Sequence, residues 1–398
     1  MYKTALDKIL RKIRNGAIKV TYWDGTEQTY GVGEPLVHVT IKDKKAVRAM
    51  LTNLSLGFGE CYMNGLIDVD GPIDQINRLA TENKPTAKMF QKLRWVKAKN
   101  INVQQNQRKQ VSHHYDIGND FYHMWLDKSM TYSCAYFRKP SDSLEQAQAQ
   151  KVDHLLRKLQ LNKGDSMLDI GSGWGTLLIQ AAKNYGVTGL GITLSHNQQK
   201  HSTQAAKAAG VDKLVKFELI NYQELAKRDV KFDRIISVGM YEHVGRNNHG
   251  DYFKAVDKML KDKGISVLHS ITHTHETAQD PWIDKYIFPG GYIPSVRETI
   301  HRMPTHNFQL IDYENLRIHY SMTLDEWLRR FEEHKDKVLK MYDEKFYRMW
   351  RMYLGSASAA FRYGDINLSQ FVFTKGNNND LPLTREHLYL TSSGKPLA

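Results

Sequence analysis

The sequence predicts an α/β protein: a larger domain over residues 111–398 built on a largely parallel sheet, with a smaller α+β domain over residues 1–82. Three observations predict it. From residue 150 strand-like runs alternate with helix-like ones, the order that gives parallel strands covered on both faces. A glycine-rich turn, LDIGSGWGT, stands between the first of those strands and the first of those helices. The first 80 residues instead hold short strand-like runs separated by turn signals.

Taken in order, a helical pattern on Leu6, Leu10 and Ile13 leads into the strand-like runs AIKVTYWDG and PLVHVTIK. Asp24 with Gly25, and Gly31 with Gly33, mark turns between them. Residues 83–110 are polar, basic and rich in Gln and Asn, and read as a helix followed by a linker. SMLDI (166–170) is a strand, and TLLIQAAKNYG (176–186) a helix stopped by Gly186. VTGLGITL (187–194) is the next strand. The helix over 195–210 follows, with Ser195 as N-cap and Gly210 as its stop. KLVKFELI (213–220), FDRIISVGM (232–240) and GISVLHSIT (264–272) supply three further strands. LIDYENLRIHY (310–320) and LSQFVFTK (368–375) complete the sheet, residues 323–362 between them are helical, and 274–295 is an irregular insert.

Charge narrows the partners. The net charge is +13, and residues 1–110 hold 19 Lys and Arg against 10 Asp and Glu, so the first quarter carries +9 of it. A basic surface suits an anionic partner, nucleic acid or phospholipid, or simply keeps the chain soluble. No run approaches the roughly 18 apolar residues that span a bilayer, and the amphipathic N-terminus lacks the features of a signal peptide. A cytoplasmic protein is expected. The two cysteines, Cys61 and Cys134, are too few for a disulfide framework and do not resemble a zinc site. His273 and His275 form H-x-H without complementary acids or cysteines, so no metal is expected.

Gly171, Gly173 and Gly175 follow a strand at alternate positions, where glycine permits a tight turn and close approach to a ligand. A dinucleotide fingerprint needs its third glycine at position 176, which is Thr176. The G-x-G-x-G spacing resembles the first motif of S-adenosylmethionine (SAM)-dependent methyltransferases, with Asp169 as a nearby acid. Many of these end the second strand on an acid that grips the ribose. GITLSHNQ offers Thr193, Ser195 and Gln198 instead, neutral groups that still bond to hydroxyls.

HHYDIGNDFYHMWLDKSMTYSCAYF (113–137), LDIGSGWG, GITLS, DRIISVGMYEHVG and the FPGGYIPS insert occur in one order. Together they resemble the cyclopropane fatty acid synthases and mycolic acid methyltransferases over residues 111–375, with GFGECYMNGLIDVDG (57–71) extending the likeness into the first domain. The resemblance implies a class I, Rossmann-like SAM-dependent methyltransferase domain with a lipid-binding insert near 274–330. It implies a cofactor site of Tyr132, Ser133, Gly171, Gly173, Gly175, Thr193 and Gln198, with Tyr222 and Gln223 beside the adenine. It implies a reaction site in which bicarbonate is held by Glu242, His269 and Tyr320 and by backbone groups of Cys134 and Ile271. A cysteine sometimes proposed as catalytic in the family is replaced by Ala357, which argues against a cysteine nucleophile.

The implied reaction transfers a methylene unit from SAM to the cis double bond of an unsaturated phospholipid acyl chain. It needs alkene and sulfonium held at near contact, water excluded, aromatic faces beside the developing cation and a base for the departing proton. The expected setting is a peripheral association with the anionic inner face of the membrane, and a homodimer is compatible with the sequence. Each reaction-site residue also has an ordinary reading: Glu242 as a cap, His269 as a satisfied core histidine, Tyr320 as core packing. Other functions remain open at this point: a methyl-branched or methylene product, a nucleic-acid methyltransferase, which the 113–137 signature leaves unexplained, or a non-catalytic lipid-binding protein.

Overall fold

The computed structural model describes residues 2–83 and 118–390. Residues 84–110 of the segment read as helix and linker, which include the basic stretch 92–99, and the first residues of the 113–137 signature lie outside them. The chain folds as two compact units: Met1–Ile101 with Ala278–Gly290 and Tyr320–Ile366, and Asn102–Thr277 with Gly291–His319 and Asn367–Ala398. The linear division read from the sequence puts 278–290 and 320–366 after residue 111. The contacts group both segments with the N-terminal elements.

In the first unit, β1 (Gly16–Thr21), β2 (Glu27–Val32), β3 (Leu36–Ile41) and β4 (Ile67–Asp70) form a sheet in the order β2-β1-β3-β4. β1 runs parallel to β3, and the outer pairs are antiparallel. Alternation along β1 and β3 buries Ile18, Val20, Val37, Val39 and Ile41 against the helices Lys44–Thr52 and Leu54–Met63. The first helix is Tyr2–Leu10, so Ile13 packs from beyond its end. β2 and β4 were not read from the sequence: β2 buries a single residue, Tyr30, and β4 spans four residues of which two are acids. The returning segments pack through small residues. A Cβ on Gly59 would lie 2.3 Å from the Trp282 ring, and one on Gly355 would lie 2.4 Å from Ile73. Arg348, in the helix Glu344–Tyr363, pairs with Asp68 at 2.8 Å and donates to the Tyr62 and Ile67 carbonyls.

In the second unit, β5 (Ser166–Ile170), β6 (Thr188–Thr193), β7 (Val215–Leu219), β8 (Phe232–Val238), β9 (Leu260–His273), β10 (Phe308–Asn315) and β11 (Ile366–Lys375) lie in the order β10-β11-β9-β8-β5-β6-β7. β5 to β9 pair in parallel, and β10 is antiparallel to β11. The helix Thr176–Tyr185 ends on Gly186 at φ 68°, and His196–Ala208 starts on the Ser195 cap and is followed by Gly210 at φ 70°. One expectation fails. The strand read over 310–320 stops at Asn315, whose side chain accepts the Arg317 N–H at 2.9 Å and starts the helix Arg317–Glu333. Tyr320 is therefore helical, and the 323–362 region is completed by Lys335–Met341 and Glu344–Tyr363.

The chain leaves β5 toward β6 and β7 on one side and returns to β8 and β9 on the other. In open parallel sheets that reversal opens a crevice beyond the carboxyl ends of the two central strands. Here it opens between β5 and β8.

Candidate active site

After β5 the backbone turns through Gly171, Gly173 and Gly175 at φ 86°, 54° and 89°, conformations that side chains disfavour. The Gly171 and Ser172 N–H groups both donate to the Ile192 carbonyl, at 2.9 and 3.0 Å, and tie the turn to β6. The three glycines do different work. A Cβ on Gly175 would meet Phe217 and Ser202 at 2.8 Å, so this glycine serves close packing. A Cβ on Gly173 would meet nothing within 4 Å, and one on Gly171 would touch only Met240.

Gly171 and Gly173 line a cavity in the β5–β8 crevice, and Gly175 does not. Tyr132, Ser133, Asp169, Thr193, Gln198 and Tyr222 line it too. The Thr193 hydroxyl donates to Gln198 Oε1 at 2.7 Å, which fixes both groups at the end of β6. Gln223 is not on the wall. It lies in the short helix Tyr222–Leu225, its N–H held by the Asn221 cap at 2.8 Å. Eight of the ten residues expected at the cofactor thus share one cavity.

The upstream signature folds onto the glycine turn. The Trp174 indole donates to Asn119 at 3.0 Å, and the Thr176 hydroxyl donates to the Ser129 carbonyl at 2.8 Å. Tyr122 packs its ring against Trp174 and Tyr132, with centroids 5.4 and 5.6 Å apart. The helix Leu144–Lys158 holds the stretch from behind: Gln148 donates to the Ser133 carbonyl at 2.8 Å, and Lys151 donates to the Ser133 hydroxyl at 2.9 Å. Lys151 is fully buried on the cavity wall, and burial pulls its ammonium down to about 8 against the pull of Asp127, Cys134 and Asp169. Burial raises Asp169 to about 7, opposed by Lys151. His243 also lines the cavity, held down to about 4 by burial and so neutral. The sequence reading missed Lys151, Trp174 and His243.

A second polar cluster stands at the ends of β8 and β9. The Gly239 N–H donates to the His269 carbonyl at 2.9 Å, so the turn after β8 is lashed to β9. Glu242 sits in that turn, whose members Met240, His243 and Val244 line the cavity. Its Oε1 accepts the Ile271 N–H at 2.5 Å. The Ile271 N–H is thus already given to Glu242. Glu242 Oε2 and His269 Nε2 are buried and have no hydrogen-bond partner among the described residues. An atom left unpaired costs about 1–3 kcal/mol. His249 Nε2 and Ser266 Oγ are others of this kind, and what sets the Glu242 and His269 atoms apart is their place at the ends of β8 and β9. Cys134 is fully buried, its thiol directed to the Ala135 carbonyl at 3.1 Å. Tyr320 belongs to the other unit, where its ring packs on Phe361 and Trp327 at 4.6 and 6.1 Å. Among the described residues no group of three or more His, Cys, Asp or Glu is placed to hold a metal.

The model of the mycolic acid cyclopropane synthetase family matches residues 102–371. The chain belongs to this family. A domain family of unknown function matches residues 5–91. A cyclopropane-fatty-acyl-phospholipid synthase of Escherichia coli is 39% identical over 359 residues, 89% of this chain and 92% of that protein. A probable fatty acid methyltransferase of Pseudomonas putida is 35% identical over 94% of this chain and 96% of its own length. Among solved structures, the cyclopropane synthase MmaA2 of Mycobacterium tuberculosis is 33% identical, with TM-score 0.64, over 67% of this chain and 98% of that one. The chain is thus a SAM-dependent methyltransferase with the Rossmann-like class I fold.

Two outcomes follow from this geometry. Gly173→Val puts a branched side chain at φ 54° on the cavity wall, and is expected to abolish SAM binding by calorimetry. Unchanged affinity would remove the glycine turn from the cofactor site. The second concerns Glu242, whose carboxyl burial lifts to about 7 against the Ile271 N–H bond, from an ordinary 4.5. The folded chain then holds that proton more tightly than the unfolded one, so stability falls as pH rises from about 4.5 through 7. Glu242→Gln is expected to be more stable than the wild type by ~1–3 kcal/mol at about pH 8 and nearly equal to it at about pH 5. Urea unfolding at the two pH values checks this, and a gap independent of pH would contradict it.

Proposed function

We propose that the chain adds a methylene unit from SAM to the cis double bond of an unsaturated phospholipid acyl chain, giving a cyclopropane acyl chain and S-adenosylhomocysteine. The observation that carries the reading is the pair of unpartnered buried atoms, Glu242 Oε2 and His269 Nε2, at the strand ends beside the cofactor cavity. When bound, SAM supplies an electrophilic methyl group. The chain's own residues exclude water and seat the reactants. The aromatic rings of Tyr122, Trp125, Tyr132 and Trp174 form one contacting cluster. Their faces suit the positive charge of the sulfonium and of the cation that follows transfer.

A small oxyanion with both donor and acceptor oxygens fits the Glu242 and His269 atoms. Bicarbonate is such an ion, and it supplies a base when bound. Glu242 and His269 would hold it directly, with Cys134 and Ile271 supporting through the backbone; Tyr320 enters only through the family resemblance. The protein relatives that support the reading carry the names of a phospholipid synthase and of a mycolic acid synthase. Incubated with SAM and unsaturated phospholipid vesicles, the wild type is expected to yield fatty acids one CH2 heavier that lack the alkene. Glu242→Gln and His269→Ala should lower kcat at least about 100-fold while SAM affinity stays. Removal of bicarbonate should slow the wild type. Wild-type turnover in both variants would refute the site.

Substrate in an assembled bilayer implies a docked enzyme. Among the described residues no helix is long and apolar enough to cross a membrane. Lys8, Arg11, Lys12 and Arg14 are exposed near the N-terminus, although only Lys8 lies within the helix Tyr2–Leu10, and Arg11 is bonded to Asp7 at 2.8 Å. Each basic group near an anionic surface contributes about 1 kcal/mol, less as salt rises. Neutralising the four is expected to weaken co-sedimentation with anionic vesicles and to leave SAM affinity intact. Equal binding to neutral vesicles, insensitive to salt, would rule out electrostatic docking.

A further inference from the structure

Behind His269 runs a line of buried polar side chains that the reaction itself does not use. Gln370, on β11 beside β9, is fully buried, and its Nε2 lies 3.1 Å from His269 Nδ1. Its Oε1 accepts from the Lys158 ammonium at 2.7 Å. Lys158, also buried, donates to Glu314 Oε2 at 2.5 Å, and His154 Nε2 meets the same oxygen at 2.7 Å. Burial opposes ionisation of Glu314, but His154 and Lys158 outweigh it and hold the carboxyl down at about 2. The Tyr136 ring stacks on His154 at 4.3 Å and closes the far end.

The chemistry of these groups dictates the direction of every bond. Burial pulls the Lys158 ammonium down and the Glu314 carboxylate opposes it. As the ammonium of that ion pair Lys158 has donors and no acceptor, so the atom facing it is the amide oxygen of Gln370. The amide nitrogen is then turned to His269, and it too is a donor. His269 Nδ1 must therefore accept, which requires its lone pair. Burial keeps the His269 ring neutral, its basicity held well below the ordinary histidine value, so the single ring proton resides on Nε2. An amide orientation is ordinarily ambiguous; here the lysine removes the ambiguity.

We propose that Gln370 is a positioning residue, held by Lys158, that locks His269 as the Nε2–H tautomer and so makes it a hydrogen-bond donor, and not a base, toward the reaction site. The inference rests on the reading of His269 as a reaction-site residue and deepens it. His269 would offer an N–H to an oxygen of bound bicarbonate, and the proton released by the substrate would go to that ion and not to the imidazole. Glu314, Lys158 and His154 act one step further back, by denying Gln370 its flipped orientation.

The test joins a tautomer measurement with kinetics on the full-length protein. Two-bond 1H–15N correlation spectra of 15N-histidine-labelled protein report which ring nitrogen carries hydrogen, with His269 assigned by comparison with His269→Ala. The wild type is expected to show Nε2 protonated and Nδ1 bare, with no substrate added. Gln370→Met, which keeps the volume and removes the donor, should lose the fixed tautomer and about 10-fold or more in kcat, with SAM affinity unchanged. Gln370→Glu keeps a partner for Lys158 and should move hydrogen onto Nδ1, a readout that loss of folding does not mimic. His269→Gln, which puts an amide N–H near the place of Nε2, should retain more turnover than His269→Ala. A bare Nε2 in the wild type, or an unaltered tautomer in both Gln370 variants, would overturn the lock. An intact lock with wild-type turnover in His269→Ala would instead remove His269 from the reaction site, and the positioning role with it.

Discussion

The structure depends on the parallel pairing of β8 with β9. The register sets Val238 opposite His269, and the first residue beyond β8, Gly239, donates to the His269 carbonyl. That bond fixes where the following turn begins. Glu242 is then delivered to the Ile271 N–H, two residues along β9 from His269, where alternation puts both side chains on one face. The same turn supplies Met240, His243 and Val244 to the cofactor cavity. One strand pair thus positions the acid, the imidazole and part of the cofactor wall.

Desolvation gives the site its character. Glu242, His269, Lys151 and Asp169 are all buried, and each is pushed toward its neutral form. In water these groups would hold counterions and hydration. Here Lys151 is bonded to Ser133 and Glu242 to the Ile271 N–H, while Glu242 Oε2 and His269 Nε2 are left without a partner among the described residues. The arrangement suits a reaction through a carbocation, which any loose water would trap. It also destabilises the fold locally, the usual trade between stability and activity. The lost stability is supplied by the surrounding sheet, whose central strands carry continuous apolar runs such as Ile235, Ile236, Val267 and Leu268.

Much of this was legible in the sequence where the signal is periodic or geometric. The parallel strands show as apolar runs, the helix ends as Ser195, Gly186 and Gly210, and the cofactor turn as three glycines. The different work of Gly175 was not legible, because spacing does not distinguish a glycine that faces a cavity from one that admits Phe217. The helix at Arg317 was hidden by an apolar and aromatic run that suits either state, and one Asn315 bond decided it. The buried polar side chains of the helix Leu144–Lys158 were missed because Gln148, Lys151 and Lys158 look like the solvated face of a polar helix. Their spacing of three and seven residues puts them on the face that also carries Leu144 and Leu155, and that was the available signal. Gln370 gave none. Its role exists only where β11, β9 and a helix from elsewhere in the chain converge.

The central claim, that methyl transfer to an alkene is followed by loss of a proton and ring closure, is tested most directly by isotope counting. Unsaturated phospholipid vesicles are incubated with SAM bearing a fully deuterated methyl group, and the released fatty acids are examined by mass spectrometry and proton NMR. The account predicts a product without an alkene that carries a cyclopropane ring and retains two of the three deuterons. A product that retains all three deuterons, or one that still contains a double bond, would contradict it.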